Sequence, residues 1–197
     1  MATMQKLRAY RGPALFSYGF RPFFLFGAVY AGAMVPLWLA VFAGHISLPS
    51  AFTPRDWHVH EMLFGYVGAV IAGFLLTAVP NWTGRLPIQG TRLAILFATC
   101  LAGRLAVTFS VFTGWQIALA IDAGFLLLLA AAAAREIVAG RKWNNLMVVG
   151  IASLLAATNI AFHVEAHLDG VAEYSTRAGV GLVVTLVCLI GGRIVPS

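Results

Sequence analysis

Apolar residues occur along the chain in six long runs, separated by short segments that contain Pro, Gly and charged residues. The runs cover about residues 22–44, 59–80, 92–112, 115–134, 146–167 and 176–195. A helix needs roughly 20 apolar residues to cross a hydrocarbon core about 30 Å thick. The pattern therefore predicts an all-α polytopic membrane protein, in which six transmembrane helices with short connections form a single domain over residues 1–197.

Composition supports this interpretation. Hydrophobic residues make up 60% of the chain and charged residues only 10%, with a mean hydropathy of +0.87. An ordinary soluble domain has roughly 25% charged residues, so that class is excluded. The first apolar run is also longer than the roughly 7–15 residues of a cleavable signal peptide core, so we expect it to be retained as a helix.

The positive charges indicate an orientation for the six helices. Ten of the 13 Lys and Arg residues fall in the N-terminal segment, the second and fourth connections and the C-terminus, whereas Arg55 and Arg177 fall on the other side. Basic residues beside transmembrane helices accumulate on the cytoplasmic side. Both termini are therefore predicted to be cytoplasmic, and the net charge of +6 is not interpreted as a nucleic-acid surface.

All five histidines lie near ends of apolar runs on the predicted outer side, at positions 45, 58, 60, 163 and 167. Neutral imidazole is the commonest metal ligand, so His58, His60 and His163 are candidate ligands. His45 and His167 are expected to be interfacial residues without a ligand role. The pattern leaves open whether the second helix begins before His58 or at His60, which decides whether His58 can turn inward.

Two of the predicted helices carry a stripe suited to the interior of a helix bundle. In the fifth helix, Asn159, His163 and His167 recur every four residues and share one face. In the second, small residues follow Glu61 at the same spacing, which allows close packing of another helix. Because polar side chains at membrane depth face the bundle interior, Glu61 and Asn159 are candidates to support metal ligands or to form a proton route.

Two opposite charges lie within apolar runs, Arg104 in the third and Asp122 in the fourth. At about 1.5 Å per residue, each is on the order of 11 Å from the outer boundary. An unpaired charge there costs at least about 2.5–3.5 kcal/mol. We therefore predict a buried Arg104–Asp122 ion pair, which either holds the two helices in register or places Arg104 near an anionic group.

Five strings along the chain carry a family resemblance: GFRPFFLFGA (19–28), WHVHEMLFGY (57–66), GFLLTAVPNWTGR (73–85), LAGRL (101–105) and GGRIVP (191–196). Together they resemble the NnrS family of bacterial membrane proteins. The resemblance implies a multi-pass protein of the bacterial inner membrane that contains haem and copper and takes part in the nitric oxide response, often in denitrifying bacteria. It also implies that the chain corresponds to the N-terminal half of a longer architecture.

Three functions are compatible with the sequence. The leading hypothesis is a protein that binds haem and copper through outer-side histidines and has nitric oxide as a ligand. Both cofactors accept imidazole, so their division among the histidines stays open. The alternatives are a proton or small-anion transporter or channel, and a structural membrane subunit without metal. The sequence also leaves open catalytic turnover, the electron donor and any helical partner.

Overall fold

The computed structural model describes residues 10–194, which contain six long helices. In chain order they are α1 (Phe20–Phe42), α2 (Pro54–Thr83), α3 (Thr91–Thr108), α4 (Trp115–Ala139), α5 (Leu146–Asp169) and α6 (Tyr174–Ile194). Each contains a stretch long and apolar enough to cross a membrane, and no strand occurs within residues 10–194. The predicted all-α, six-helix membrane fold is confirmed.

Part of the charge pattern lies outside the described residues. Lys6 and Arg8 precede residue 10, and the last two residues of the string GGRIVP follow residue 194. The orientation with both termini in the cytoplasm stays a prediction, because a helix bundle without a membrane has no inner and outer side.

The second helix begins earlier than its apolar run, at Pro54. The side chain of Thr53 accepts a hydrogen bond of 3.2 Å from the Asp56 backbone N–H, and Pro54 occupies the first turn, where its missing N–H costs nothing. Gly84 then ends α2 with a left-handed φ of 70°. His58 therefore lies inside a helix, which answers the question that the sequence left open.

The backbone of α2 changes to π-helical geometry over Glu61–Tyr66. A π turn contains more residues than an α turn, so neighbouring side chains diverge less around the axis, and such segments are frequent at functional sites. His60 immediately precedes this segment and Glu61 begins it, and both side chains are 0% exposed. The local geometry thus allows two adjacent polar residues to face the same interior.

Helix α2 lies at the centre of the bundle. In its most apolar window 67% of the residues are buried, against 17% for α1 and for α6. It packs against α1 and α4, while α3, α4, α5 and α6 pack in sequence order. Between membrane helices, close van der Waals packing takes the place of the hydrophobic effect. Fully buried rings of Phe23, Phe64, Phe125 and Phe162 fill this core.

Close packing at Gly65 generates a prediction. A methyl group there would lie 2.5 Å from Arg104 Nη1 and 3.2 Å from Glu61 Oε2, whereas one at Gly124 would meet nothing within 4 Å. We expect Gly65→Ala to lower the melting temperature in detergent. The control Gly124→Ala should leave it unchanged or raise it, because Ala favours a helix over Gly by about 1 kcal/mol. Equal melting temperatures for the two variants would contradict the close approach.

Candidate metal centre

Five helices contribute buried polar side chains to one group, which we call the polar cluster. None of its members is more than 9% exposed. The cluster consists of Tyr30 from α1, His60 and Glu61 from α2, Arg104 from α3, Asp122 from α4, and Asn159 and His163 from α5. Polar groups are costly at membrane depth, and neighbours within the cluster satisfy most of them. Three of its atoms, His60 Nε2, Arg104 Nε and Asn159 Oδ1, have no hydrogen-bond partner among the described residues.

Arg104 binds two carboxylates at once. Its Nη1 donates a hydrogen bond of 2.9 Å to Glu61 Oε1, and its Nη2 donates to Asp122 Oδ1. The structure thus brings together Arg104 and Asp122, which the sequence analysis paired by depth. Glu61 is a second partner that the depth argument did not include. One guanidinium therefore joins α2, α3 and α4.

The second oxygen of Asp122, Oδ2, faces α2 and α5. It accepts a hydrogen bond of 2.8 Å from Asn159 Nδ2 and lies 3.2 Å from His163 Nε2. It also lies 3.0 Å from His60 Nε2, yet that nitrogen makes no hydrogen bond within the described chain. Two imidazole nitrogens and one carboxylate oxygen therefore converge.

The opposite side of the His60 ring contacts Glu61. His60 Nδ1 is 3.3 Å from Glu61 Oε1, and the Tyr30 hydroxyl donates to Glu61 Oε2. A proton on Nδ1 shared with Glu61 leaves Nε2 with a lone pair and without a hydrogen bond, 3.0 Å from Asp122 Oδ2. Two electron-rich atoms are then close together in a buried site. A proton on either atom, or a metal ion bound by both, would reduce their repulsion.

Charge balance favours the same conclusion. With neutral histidines, Arg104 supplies one positive charge against the two negative charges of Glu61 and Asp122. A buried charge without compensation costs several kcal/mol. One further positive charge, carried by a proton or a metal ion, is therefore needed to neutralise the cluster.

The converging atoms have the chemistry of a metal site. Ligand atoms of His60, Asp122 and His163 all lie within 4.8 Å of one another. Two imidazole nitrogens and one carboxylate oxygen suit a first-row transition metal such as copper, zinc or iron. Asp122 was expected from the sequence only as the partner of Arg104, so its possible role as a ligand is new from the structure.

A haem does not fit the polar cluster. The Phe52 ring lies 5.1 Å from the His60 ring and 4.9 Å from the His163 ring, measured between centroids. Phe64 and Phe162 cover His60 at 5.1 Å and 5.2 Å. A haem iron would have to lie directly beyond the ligating nitrogen, but Asp122 Oδ2 lies 3.0 Å from His60 Nε2 and 3.2 Å from His163 Nε2. These closely spaced residues therefore fit a single metal ion better than a flat macrocycle.

The remaining histidines lie apart from the cluster. His58 stacks on Trp38 with ring centroids 4.2 Å apart, because residues 58 and 60 of one helix point in different directions. The structure therefore does not bring His58 to the candidate metal site. His167 stacks on Trp115 at 4.3 Å, and His45 is exposed.

Tyr30 is the member of the cluster that the sequence analysis missed. It lies in the first apolar run, where its ring resembles any other aromatic residue. A buried Tyr hydroxyl usually finds a hydrogen-bond partner, and this rule could have marked Tyr30 as a residue facing the bundle interior.

Beyond the cluster, towards the α2–α3 connection, the described core is apolar. Leu75 of α2, Leu93 and Leu96 of α3, and Leu129 of α4 are all buried there. The hydrogen-bonded groups of the polar cluster are therefore confined to one end of the bundle, and no chain of buried polar side chains crosses it within the described residues.

Six apolar helices around a buried group of potential ligands define a multi-pass membrane protein with a candidate metal centre. A family model described as NnrS protein matches residues 14–197. The chain belongs to the NnrS family, which confirms the resemblance found in its sequence strings and indicates a role in the nitric oxide response. No curated protein and no solved structure matches the chain.

The double contact of Arg104 leads to a prediction for membrane insertion. We expect Arg104→Met to reduce strongly the yield of membrane-inserted protein. It leaves the buried carboxylates of Glu61 and Asp122 without their ion-pair partner, which costs about 3–5 kcal/mol. Replacing Arg104 and Asp122 together should recover the yield only in part, since Glu61 keeps its charge. Adding Glu61→Gln should recover most of it.

The exposed Arg55, which is 3.9 Å from Glu173, provides the control for that series. Arg55→Met should change the yield little, because exposed ion pairs contribute about 0–1 kcal/mol. The measurement is the amount of folded protein extracted from membranes. Equal losses in the single, double and triple variants would contradict the role of charge pairing.

Proposed function

We propose that the chain is a copper-binding protein of the bacterial inner membrane that acts in the nitric oxide response. The convergence of His60 Nε2, His163 Nε2 and Asp122 Oδ2 carries this proposal. Imidazole and carboxylate ligands suit Cu(II), which binds most tightly among the divalent first-row metals. Family membership supports the nitric oxide part of the proposal.

The surrounding residues suit the support of such a site. Arg104 occupies Asp122 Oδ1, so only Oδ2 is directed at the two imidazoles. Asn159 donates to that same oxygen and orients it. Glu61 contacts His60 Nδ1 and so favours metal binding through Nε2. Such partners of metal ligands typically contribute 10–100-fold to metal affinity.

The position of the site suits a small neutral ligand. A copper ion supplies a redox-active centre at which nitric oxide can bind. A small anion would lose its hydration at this depth and meet the carboxylates of Glu61 and Asp122, whereas an uncharged diatomic molecule would do neither. Glu61, which accepts from Tyr30 and contacts His60, is placed to hold a proton beside the site.

The haem implied by the resemblance has no place in the polar cluster, so His60 and His163 are assigned to copper alone. The other candidate functions receive less support. A proton or small-anion route through Glu61, Arg104, Asp122 and Asn159 would meet the apolar core that begins beyond the cluster. A purely structural subunit would need a proton to balance the charge of the cluster, and it gives no reason for two imidazole nitrogens and a carboxylate oxygen to converge.

Metal content tests the proposal directly. The purified chain, loaded with copper in detergent, should contain bound copper by elemental analysis and show a Cu(II) signal with nitrogen coupling in electron paramagnetic resonance. Copper binding should weaken by about 100-fold or more in each of the variants His60→Ala, His163→Ala and Asp122→Asn. Removing a metal ligand should have a larger effect than the roughly 10–100-fold loss that is typical when a residue hydrogen-bonded to a ligand is removed. Added nitric oxide should change the signal.

His58→Ala is the matched control, since His58 belongs to the same helix but contacts Trp38. It should retain copper. Full copper binding in all four variants, or none in the unaltered protein, would overturn the proposed site. Loss of copper only in His58→Ala would move the site to the α1–α2 surface. If copper binds but its signal does not respond to nitric oxide, the proposed metal site is supported and nitric oxide is excluded as its ligand.

A further inference from the structure

A second polar feature lies at the opposite end of the bundle from the polar cluster. A cavity of about 720 Å³ is formed by the α2–α3 connection, the start of α3 and the end of α4. We call it the basic cavity, because its charged lining residues are Arg85, Arg92, Arg135 and Glu136. It lies at the predicted cytoplasmic surface, and the metal proposal makes no use of it.

The charges in the basic cavity are unbalanced. Three guanidinium groups face one carboxylate, which leaves two positive charges in excess. Arg85 Nε donates a hydrogen bond of 2.6 Å to Glu136 Oε2, an interaction that holds the side chain while leaving its two terminal amino groups available. Arg135 Nε lies 4.0 Å from Glu136 Oε1, and Arg92 pairs with no acidic side chain in residues 10–194.

The start of α3 adds to the positive potential. Gly90 precedes the helix with φ of 64°, and its N–H donates to the Phe16 carbonyl over 2.9 Å, which fixes the loop. No side chain caps this helix start, and its first turn has no acidic residue. Thr91 and Arg92 of that turn line the cavity. Unpaired N–H groups at a helix start attract anions.

We propose that the basic cavity binds a phosphate-bearing anion. Guanidinium groups form paired, charge-assisted hydrogen bonds with phosphate, and here three arginines from three segments of the chain line one cavity. The volume is within the range of about 300–1,000 Å³ that is typical of small-molecule sites, so the cavity has room for an anion larger than one phosphate ion.

Two sources share this chemistry at a membrane surface: the headgroup of an anionic phospholipid and a soluble phosphate compound from the cytoplasm. The apolar slot beneath the cavity, between Leu76, Val79 and Ala133, measures only about 10 Å³. A lipid acyl chain therefore does not enter the bundle there and would lie along its outer surface.

The test uses the full chain in nanodiscs, with a cavity variant, Arg92→Gln with Arg135→Gln, and a matched control. The control, Arg141→Gln with Lys142→Gln, removes the same charge from exposed positions outside the cavity. In one arm, discs contain phosphatidylcholine and phosphatidylglycerol, and native mass spectrometry counts the phosphatidylglycerol molecules retained. In the other, discs contain only phosphatidylcholine, and calorimetry measures inorganic pyrophosphate binding.

We expect the cavity variant to lose binding by about tenfold or more in one arm, because it loses two guanidinium groups that form charge-assisted hydrogen bonds with phosphate. The control should match the unaltered protein. Loss of phosphatidylglycerol identifies a lipid headgroup, and loss of pyrophosphate identifies a soluble anion. Equal binding by all three proteins in both arms, or no binding by the unaltered protein in either arm, would overturn the proposal.

Discussion

The contact of Arg104 with two carboxylates is the interaction on which the rest of the polar cluster depends. A single guanidinium neutralises one charge on α2 and one on α4, in surroundings where an unpaired charge costs several kcal/mol. It also occupies Asp122 Oδ1 and so leaves Oδ2 to the imidazoles of α2 and α5. The ion pairs therefore stabilise the packing of the helices and determine which oxygen is available to a metal.

The sequence predicts those features that depend on spacing along one helix. Long apolar runs predict the six helices, because helix length and membrane thickness limit the possibilities. The depth of Arg104 and Asp122 follows from the rise per residue, and the four-residue interval between Asn159 and His163 places both on one face of α5. These relations need no knowledge of the neighbouring helices.

Features that depend on a local change in backbone geometry are not accessible in the same way. From the sequence, His58 and His60 are equally good candidate ligands. The structure distinguishes them, because α2 begins at Pro54 and becomes π-helical from Glu61, so that the two side chains point in different directions. The contact between Glu61 and Arg104 likewise depends on which helices become neighbours. The ligand role proposed for Asp122 depends on the direction of its second oxygen, which side-chain packing determines.

The direct measurement of the central claim is X-ray absorption at the copper edge of the purified, copper-loaded chain. The account predicts nitrogen and oxygen ligands only, with outer scattering from two imidazole rings. The sulfur atoms of Cys100 and Cys188 are the main alternative ligands in the described chain. A sulfur atom bound to the copper, or scattering from no imidazole, would contradict a centre held by His60, His163 and Asp122.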